Sequence, residues 1–394
     1  MYKKLKLILK KSDIVQIIYN TSIYIIRKLL LFVSIILGQK NNVVMVQAYE
    51  GRQYSCNPKY IAEYLKTSSN INIVVSLKRP ELYECLEKRG LKLVKKNSLS
   101  YFYCYLTSRV IIVNDFLPLL LPLKDTQISI NTWHGGGAYK KVGVSLSKNN
   151  YYTQRYILQH KVNYMVSSCA AFTEIASEAF NISKYNMLPI GMPRNDLLVN
   201  GENISNINKD VKKRYSIAED TKIVLYAPTY RESLKNSLYN LDFENILLAL
   251  KQKFGGEWIF LFRGHYFLTE NSKMKDKYII NVSDYDDMQE LLAITDCLIT
   301  DYSSSVWDFS LTLKPCFLYA TDLDEYKKEI DFYYPIEKWP FALAKNNDEL
   351  VANIESYNEK VYRNLVIEHH KILGSYEKGN ACEKIGKMII ELCK

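Results

Sequence analysis

Two successive series of short apolar runs, each alternating with helical patterns, constrain the fold of this chain more than any other feature. The first series predicts strands at Val43–Ala48, Ile71–Leu77, Leu91–Val94, Val110–Val113, Ile128–Thr132 and Tyr164–Ser167. The second predicts strands at Ile223–Ala227, Trp258–Phe262, Tyr278–Asn281, Cys297–Thr300 and Pro315–Tyr319. Such alternation is typical of doubly wound parallel sheets. The predicted fold class is therefore α/β, with two Rossmann-like domains.

The two series divide the chain into four predicted parts. Residues 1–40 form a basic, apolar helical segment, residues 41–200 the first domain, and residues 201–375 the second. Residues 376–394 end in a helix that is expected to cross back onto the first domain. The polar stretch Asn200–Asp210 is the predicted linker. Two such units place a cleft between the carboxyl ends of their strands, where sheets of this type bind ligands.

The basic excess of the chain is concentrated at its start. Of a net charge of +10, +7 lies in residues 1–40, where lysines are mixed with leucine and isoleucine. A nucleic-acid binder more often spreads its charge over a folded face, whereas a basic apolar segment is typical of an anchor to an anionic membrane surface. Because Arg27 and Lys28 interrupt the apolar window Ile14–Leu37, one or two amphipathic helices on the membrane are favoured over a spanning helix. Packing against the chain's own core is the alternative.

The cysteines and acidic residues do not indicate a metal site. None of the eight cysteines forms a CxxC pair and several stand in apolar runs, which predicts free thiols in a reducing compartment. No zinc-ligand spacing occurs among the cysteines and the five histidines. The acidic run Asp284–Asp287 is interpreted as the cap of a helix from Met288. We therefore expect neither a metal nor another cofactor.

The stretch Asp296–Ser310 reads as a buried strand, a hydroxyl-rich turn and the start of a helix. Free N–H groups at a helix start are a seat for phosphate. The predicted ligands of a donor phosphate or nucleotide are Asp301, Ser303, Ser304, Ser305 and Asp308, the last within reach of a ribose. The alternative is that Ser303 or Ser304 only caps the helix.

A second motif, NTWHGGGAYKK at 131–141, ends a strand with a histidine followed by three glycines and two lysines. His134 at the carboxyl end of a strand is placed to take a proton from a hydroxyl group. Gly135 and Gly136 let the backbone approach a ligand closely, and Lys140 and Lys141 can balance phosphate charge. The alternative is a core histidine beside a flexible turn.

Two further strand ends of the second series carry groups that suit phosphate. Arg263 can bind a phosphate with two N–H groups, and His265 can donate to a pyrophosphate oxygen as charge develops on the leaving group. Thr229 and Arg231 end the strand of Ile223–Ala227 with a hydroxyl and a second guanidinium. Each motif alone is weak, but three strand ends of one sheet with phosphate-compatible groups predict a phosphate-binding cleft.

The ordered motifs WHGGGAYKKVG (133–143), APTYR (227–231), FRGH (262–265) and TDYSSSVWDF (300–309) resemble the CDP-glycerol glycerophosphotransferase family. The resemblance covers about residues 43–375. Enzymes of this family build teichoic acids and related phosphopolyol polymers and capsules in bacteria. Family members usually have Trp-His-Gly-Thr-Pro where this chain has Trp-His-Gly-Gly-Gly, a departure that leaves the histidine in place and changes the acceptor side.

The resemblance implies a two-domain GT-B fold and transfer of a polyol phosphate from a CDP-linked donor to an acceptor hydroxyl, with release of CMP. By motif, His134 is the general base, and His265 and Arg263 bind the pyrophosphate. The serine turn holds the phosphates, and Asp308 matches the acidic position that binds the nucleotide ribose. The implied partners are a CDP-polyol and a lipid-linked or polymer acceptor, and the implied location is peripheral, at the cytoplasmic face of the membrane.

Two rivals to this function stay open at the level of sequence. One is a GT-B glycosyltransferase that uses a sugar nucleotide in the same cleft, and the other is a non-catalytic membrane-surface scaffold. The motifs leave open whether the polyol is glycerol or ribitol, whether one unit or many are added, and whether copies form a homo-oligomer. Nucleic-acid binding is the least favoured class because the basic excess lies in an apolar segment.

Overall fold

A computed structural model describes residues 13–146, 162–229, 241–264 and 278–394 of the chain. Its framework is two parallel sheets with helices on their faces, which confirms the predicted α/β class. Apolar strands whose residues are buried on both faces belong to sheets covered by helices. The strand Cys297–Thr300, in which all four residues are buried, is an example.

The first sheet has seven strands in the order β3-β2-β1-β4-β5-β6-β7, and each pair is parallel. Its strands are β1 Lys40–Gln47, β2 Asn72–Leu77, β3 Lys92–Lys95, β4 Ser108–Val113, β5 Ile128–Asn131, β6 Tyr164–Ser167 and β7 Met187–Pro189. The helices of this half are α1 Asp13–Leu37, α2 Cys56–Ser68, α3 Glu84–Lys88, α4 Leu99–Thr107, α5 Ala170–Ala179 and α6 Asp196–Asn200. The strand order reverses between β1 and β4, the place where sheets of this type bind ligands.

The second sheet has six parallel strands in the order β10-β9-β8-β11-β12-β13. Its strands are β8 Lys222–Ala227, β9 Trp258–Phe262, β10 Ile279–Asn281, β11 Cys297–Thr300, β12 Cys316–Tyr319 and β13 Ala342–Ala344. The remaining helices are α7 Ile204–Arg214, α8 Phe243–Phe254, α9 Met288–Ile294, α10 Ser305–Ser310, α11 Leu323–Glu329, α12 Asn347–Glu355, α13 Glu359–Ile372 and α14 Ala381–Leu392.

The segment between the two sheets is more regular than its composition predicts. The predicted linker Asn200–Asp210 is helical from Ile204 onward as part of α7. Val211 of this helix is fully buried, and Ile204 and Ile207 pack partly buried against the same core, so three apolar positions fix a helix that is otherwise polar. The edge strands β7 and β13, of three residues each, were too short for the apolar pattern to predict.

The C-terminal helix joins the two halves. Ile385 and Ile389 of α14 belong to the apolar core beneath the first sheet, and Arg109 Nε on β4 donates to the Leu392 carbonyl at 2.7 Å. Gly386 is required at its position, because a Cβ there would overlap the ring of Tyr64 on α2. A helix that follows the second sheet in the chain therefore packs on the first.

Helix α1 is one continuous helix whose apolar side faces outward. Its window Ile17–Leu37 is long and apolar enough to cross a membrane. Its other side contacts the protein: Arg27 Nη1 donates to the Leu119 carbonyl at 2.7 Å, Ser34 is buried, and Leu30 packs against the core beneath the first sheet. The alternative that α1 packs into the chain's own core is therefore wrong for most of its apolar residues, since the exposed ones include Ile17, Ile18, Tyr24, Ile25, Leu29, Phe32, Ile35 and Ile36.

All eight cysteines are unpaired, as predicted. Cys56, Cys104, Cys169, Cys297 and Cys316 are buried, whereas Cys85 is exposed.

Candidate active site

The site forms where a loop after β5 meets the serine turn after β11. A Cβ at Gly135 would lie 3.5 Å from Ser304 Oγ, so this glycine lies directly beside the serine turn. A Cβ at Gly136 would overlap the indole of Trp307 on α10. The glycines after His134 thus let the two halves of the molecule touch. The approach that the structure shows is to protein, and the close approach to a ligand stays a prediction.

His134 is held by both its ring and its backbone. Its Nδ1 lies 2.6 Å from the Asn114 carbonyl at the end of β4. Its ring stacks on Trp133 with centroids 4.3 Å apart, and its carbonyl accepts from Arg194 Nη1 at 3.0 Å. Trp133 has a φ of 51°, a left-handed conformation that is costly for a bulky residue and persists only where neighbours enforce it. Here the Asn131 Oδ1, which accepts from the Trp133 N–H at 2.8 Å, is one such neighbour.

The protonation state of His134 follows from these contacts. Burial lowers its pKa to about 4, against a smaller opposing effect of the Asn114 carbonyl, so the imidazole is neutral at pH 7. A carbonyl only accepts, so Nδ1 carries the proton and Nε2 has a free lone pair. A neutral histidine with this tautomer can act as a general base.

Arg194 and Asp308 form a buried ion pair between the two halves, and this corrects the role predicted for Asp308. Arg194 Nε and Nη2 donate to Asp308 Oδ2 at 3.0 and 2.8 Å, and each side chain is only 4% exposed. The carboxylate therefore lies beneath the cleft and is not placed to bind a ribose. A strand-to-helix pattern gives the position of Asp308 but cannot reveal a partner 114 residues away.

The three serines after Asp301 differ in what their hydroxyls contact. Ser305 is buried and its hydroxyl donates to Ser303 Oγ at 2.9 Å. Ser303 and Ser304 are half-buried, and Ser304 forms no side-chain capping hydrogen bond. Helix α10 has only six residues, so hydroxyl groups rather than a long helix dipole are the main donors available at this turn.

Thr229 and Asp301 are bonded to each other. The Thr229 N–H lies 2.9 Å from both Asp301 carboxylate oxygens, and its hydroxyl donates to Oδ1 at 2.6 Å. This pair ties the end of β8 to the end of β11. Both residues were predicted as direct ligands of the donor. In the structure they bond to each other, at the strand end that leads into the serine turn.

Arg263 projects from the end of β9 and is half-buried. Its Nη1 donates to the Tyr285 carbonyl and its Nη2 to the Asp286 carbonyl at 3.3 Å, which orients the guanidinium. Burial lowers the pKa of Arg263, partly offset by nearby acidic groups that include Asp287. The other two residues predicted beside it, His265 and Arg231, lie outside the described residues.

The two lysines after the glycines have different surroundings. Lys140 is half-buried and its charge contributes to the lowered pKa of His134, so it remains near the site. Lys141 forms an ion pair with Asp331, whose side chain is exposed, and the role of Lys141 in balancing phosphate charge stays a prediction.

Three groups that sequence reasoning missed hold the site together. The Asn114 carbonyl bonds the His134 ring, and Arg194 links the loop that carries His134 to α10. Glu377 accepts from Trp307 Nε1 at 2.9 Å and from the Met192 N–H at 3.0 Å. Burial raises the pKa of Glu377 to about 7. Each lies far along the chain from its partner, and only the topology brings them together.

Two side chains of the first domain, Lys59 and Tyr83, bond to the second domain at the edge of the cleft. Lys59 Nζ on α2 lies 2.6 Å from both Asp287 Oδ2 and Glu290 Oε1 on α9. Tyr83 donates to Asp286 Oδ2 at 2.5 Å. Asp287 also accepts from the Gln289 N–H at 3.0 Å as the cap of α9, which agrees with the predicted capping role. Within the described ranges, no cluster of three potential metal ligands occurs.

Teichoic acid polymerases and transferases are among the known proteins to which this chain is similar. The chain is 27% identical to the wall teichoic acid polymerase TagF, solved as a histidine-to-asparagine variant soaked with CDPG, with a TM-score of 0.79 over 90% of each chain. It is 30% identical over 371 residues to a teichoic acid poly(glycerol phosphate) polymerase of Staphylococcus epidermidis, covering 89% of this chain and 50% of that protein. It is 29% identical to a teichoic acid glycerol-phosphate transferase of Staphylococcus aureus, covering 89% of this chain and 93% of that protein.

The fold and the site together define a two-domain transferase of the GT-B type. A family model described as CDP-glycerol:poly(glycerophosphate) glycerophosphotransferase matches residues 29–391, and the chain belongs to this family. The family predicted from the ordered motifs is confirmed, and with it the expectation of an enzyme. The chain spans half the length of the S. epidermidis relative and nearly all of the S. aureus one.

Proposed function

We propose that this enzyme transfers a polyol phosphate, most simply glycerol phosphate, from a CDP-linked donor to a hydroxyl of a lipid-linked or polymer acceptor in teichoic acid or capsule synthesis. The observation that carries the proposal is the neutral His134 with Nε2 unprotonated, one residue from the loop that touches the serine turn. Membership of the family and the CDPG soak of TagF support the choice of donor.

In the proposed step, His134 Nε2 takes the proton of the acceptor hydroxyl as its oxygen attacks the phosphorus that carries the polyol. The bond from this phosphorus to the oxygen of CMP breaks, and CMP leaves with the electron pair. Catalysis of phosphoryl transfer depends mainly on positioning and charge stabilisation. Arg263 and the hydroxyls of Ser303 and Ser304 are the described groups that supply these. His265 keeps its predicted role at the pyrophosphate, and Arg231 its predicted role as a ligand of the donor phosphate or nucleotide.

The positions of these groups are compatible with one reaction centre. The ring of Tyr49 lies 5.7 Å from that of His134. Ser304 lies beside Gly135. A donor held between Arg263 and the serine turn would therefore have its phosphates near the imidazole.

Titration calorimetry with CDP, CDP-glycerol, CDP-ribitol, UDP and UDP-sugars tests the donor class. We expect binding of the cytidine ligands only, with the tighter CDP-polyol identifying the polyol. Preference for uridine ligands would contradict the proposal and indicate a sugar transferase. Transfer itself is measured as CMP release that depends on an acceptor.

We propose further that the enzyme works at the cytoplasmic face of the membrane and that α1 is its anchor. The support is the outward apolar side of α1, with Arg27 and Ser34 turned toward the protein. The test is flotation of the full chain with vesicles that contain phosphatidylglycerol. The triple variant Ile25→Asn/Phe32→Asn/Ile36→Asn should stay in the soluble fraction with an unchanged Tm, and unchanged flotation of that variant would contradict the role of α1.

A further inference from the structure

A row of charged side chains follows the carboxyl edge of the first sheet and leads to His134. Because the sheet order is β3-β2-β1-β4-β5 and all pairs are parallel, the residues that follow these strands lie side by side. They are Lys96 after β3, Lys78 after β2, Glu50 and Arg52 after β1, Asn114 and Asp115 after β4, and His134 after β5. With strands about 4.8 Å apart, the row is roughly 19 Å long.

Two ion pairs within this row are long. Glu50 Oε2 lies 3.9 Å from Arg52 Nη2 and 3.8 Å from Lys78 Nζ, and these side chains are about half exposed. Exposed ion pairs of this length contribute little. Lys96 is half-buried, and the charges of Glu50 and Asp115 act on it, although neither carboxylate forms an ion pair with it among the described residues. A phosphate that lay closer to Lys96 Nζ than these carboxylates would therefore be stabilised.

The backbone around these side chains is fixed. The Lys78 N–H donates to the Gly51 carbonyl at 2.6 Å, and the Lys96 N–H donates to the Leu77 carbonyl at 2.7 Å. Gly51 has a φ of +78°, and a Cβ there would lie 3.2 Å from the Ser76 carbonyl oxygen, so a glycine allows this close approach. The side chain of Asp115 accepts from the Glu50 N–H at 2.6 Å, which connects the row to Asn114 and hence to His134.

We propose that Arg52, Lys78 and Lys96 form an acceptor subsite that binds phosphates of a poly(polyol phosphate) chain, with the terminal hydroxyl of that chain at His134. The acceptor then runs along the sheet edge from β5 toward β3. This inference rests on the proposed function and adds to it the path of the acceptor.

Binding of a fluorescently labelled synthetic hexa(glycerol phosphate) to the full chain, without donor, tests the subsite by anisotropy. The variant Arg52→Gln/Lys78→Gln/Lys96→Gln should bind at least tenfold more weakly, and wild-type binding should weaken as salt is raised. The matched control is Lys66→Gln/Lys88→Gln/Lys92→Gln, which removes the same charge at the opposite, amino edge of this sheet. It should bind within twofold of wild type.

Steady-state kinetics separates this subsite from the proposed function. The edge variant should raise the acceptor KM about tenfold, with kcat and the donor KM within twofold of wild type. Absence of CMP release in the wild type would refute the proposed function, whereas wild-type turnover with an unchanged acceptor KM in the edge variant would overturn the subsite alone. Equal binding of the labelled oligomer by wild type and edge variant would also overturn it.

A membrane headgroup is the other source of such phosphates, and a vesicle assay distinguishes it. Flotation with phosphatidylglycerol vesicles should be the same for wild type and edge variant. Loss of flotation together with unchanged oligomer binding would overturn the acceptor path and assign these cations to lipid.

Discussion

The two sides of the cleft differ in how far the protein itself fixes their functional groups. On the first domain, His134 is held at Nδ1 by Asn114, at its carbonyl by Arg194 and on its face by Trp133. On the second, Ser304 forms no capping hydrogen bond and is half-buried. The base is therefore preorganised before any ligand binds, whereas the hydroxyl of Ser304 is left for the substrate to engage.

Replacing His134 should have the largest effect. General base catalysis contributes about 10²–10⁴-fold, so we expect His134→Ala to lower kcat by about 10³-fold with the Tm nearly unchanged. The measurement is CMP release under saturating donor and acceptor. His370→Ala is the control for loss of a largely buried imidazole, because His370 Nε2 bonds Ser310 Oγ at 2.7 Å and its ring packs against Trp307. A similar loss of kcat in folded His370→Ala would remove the specific role of His134.

Breaking the ion pair beneath the cleft should mainly affect stability. Removal of one partner of a buried pair leaves an unpaired charge and costs about 3–5 kcal/mol, so Asp308→Ala should lower the free energy of unfolding by that amount. Arg194→Met/Asp308→Leu should recover a large part of it. Urea unfolding measures both. An Asp308→Ala protein of normal stability with weak CDP binding would instead restore the ribose contact predicted from the sequence.

The serine turn should respond unequally to removal of its hydroxyls. One hydrogen bond to a charged group contributes about 1.5–3 kcal/mol, so Ser304→Ala should raise the donor KM by about tenfold to a hundredfold. Ser305→Ala should raise it less, because that hydroxyl faces Ser303 inside the turn. Donor titrations at fixed acceptor measure the two values. Equal effects would mean that the turn acts as a unit and would weaken the contrast between the two sides of the cleft.

The burial of His134 should also set the pH dependence of kcat/KM, an effect smaller than those of the substitutions above. Because the pKa of His134 in the folded protein is about 4, its base form persists down to about pH 5, well below the range of a free imidazole near 6.5. The acid limb of kcat/KM should therefore fall near pH 4 to 5. The unfolded chain binds the proton more readily, so this group reduces stability as pH falls from about 6.5 toward 4. An acid limb at 6.5 that disappears in His134→Gln would show an exposed imidazole.

The elements and the site were not equally predictable from sequence. Buried strands such as Trp258–Phe262 were found with their bounds because continuous apolar runs are a local signal. The strand end that carries His134 was found in the same way. The partners of that histidine were not, because Arg194 lies 60 residues away and contacts it through the fold. The role of Asp308 was predicted wrongly for the same reason, since burial and pairing depend on the other domain.

The most direct test of this account is calorimetric titration of CDP-glycerol into wild type and His134→Ala, without acceptor. If the first domain supplies the base and the second holds the donor, the two proteins should bind CDP-glycerol with Kd values within twofold of each other. A tenfold weaker Kd for His134→Ala would place this histidine among the donor ligands and contradict the division between the two sides of the cleft.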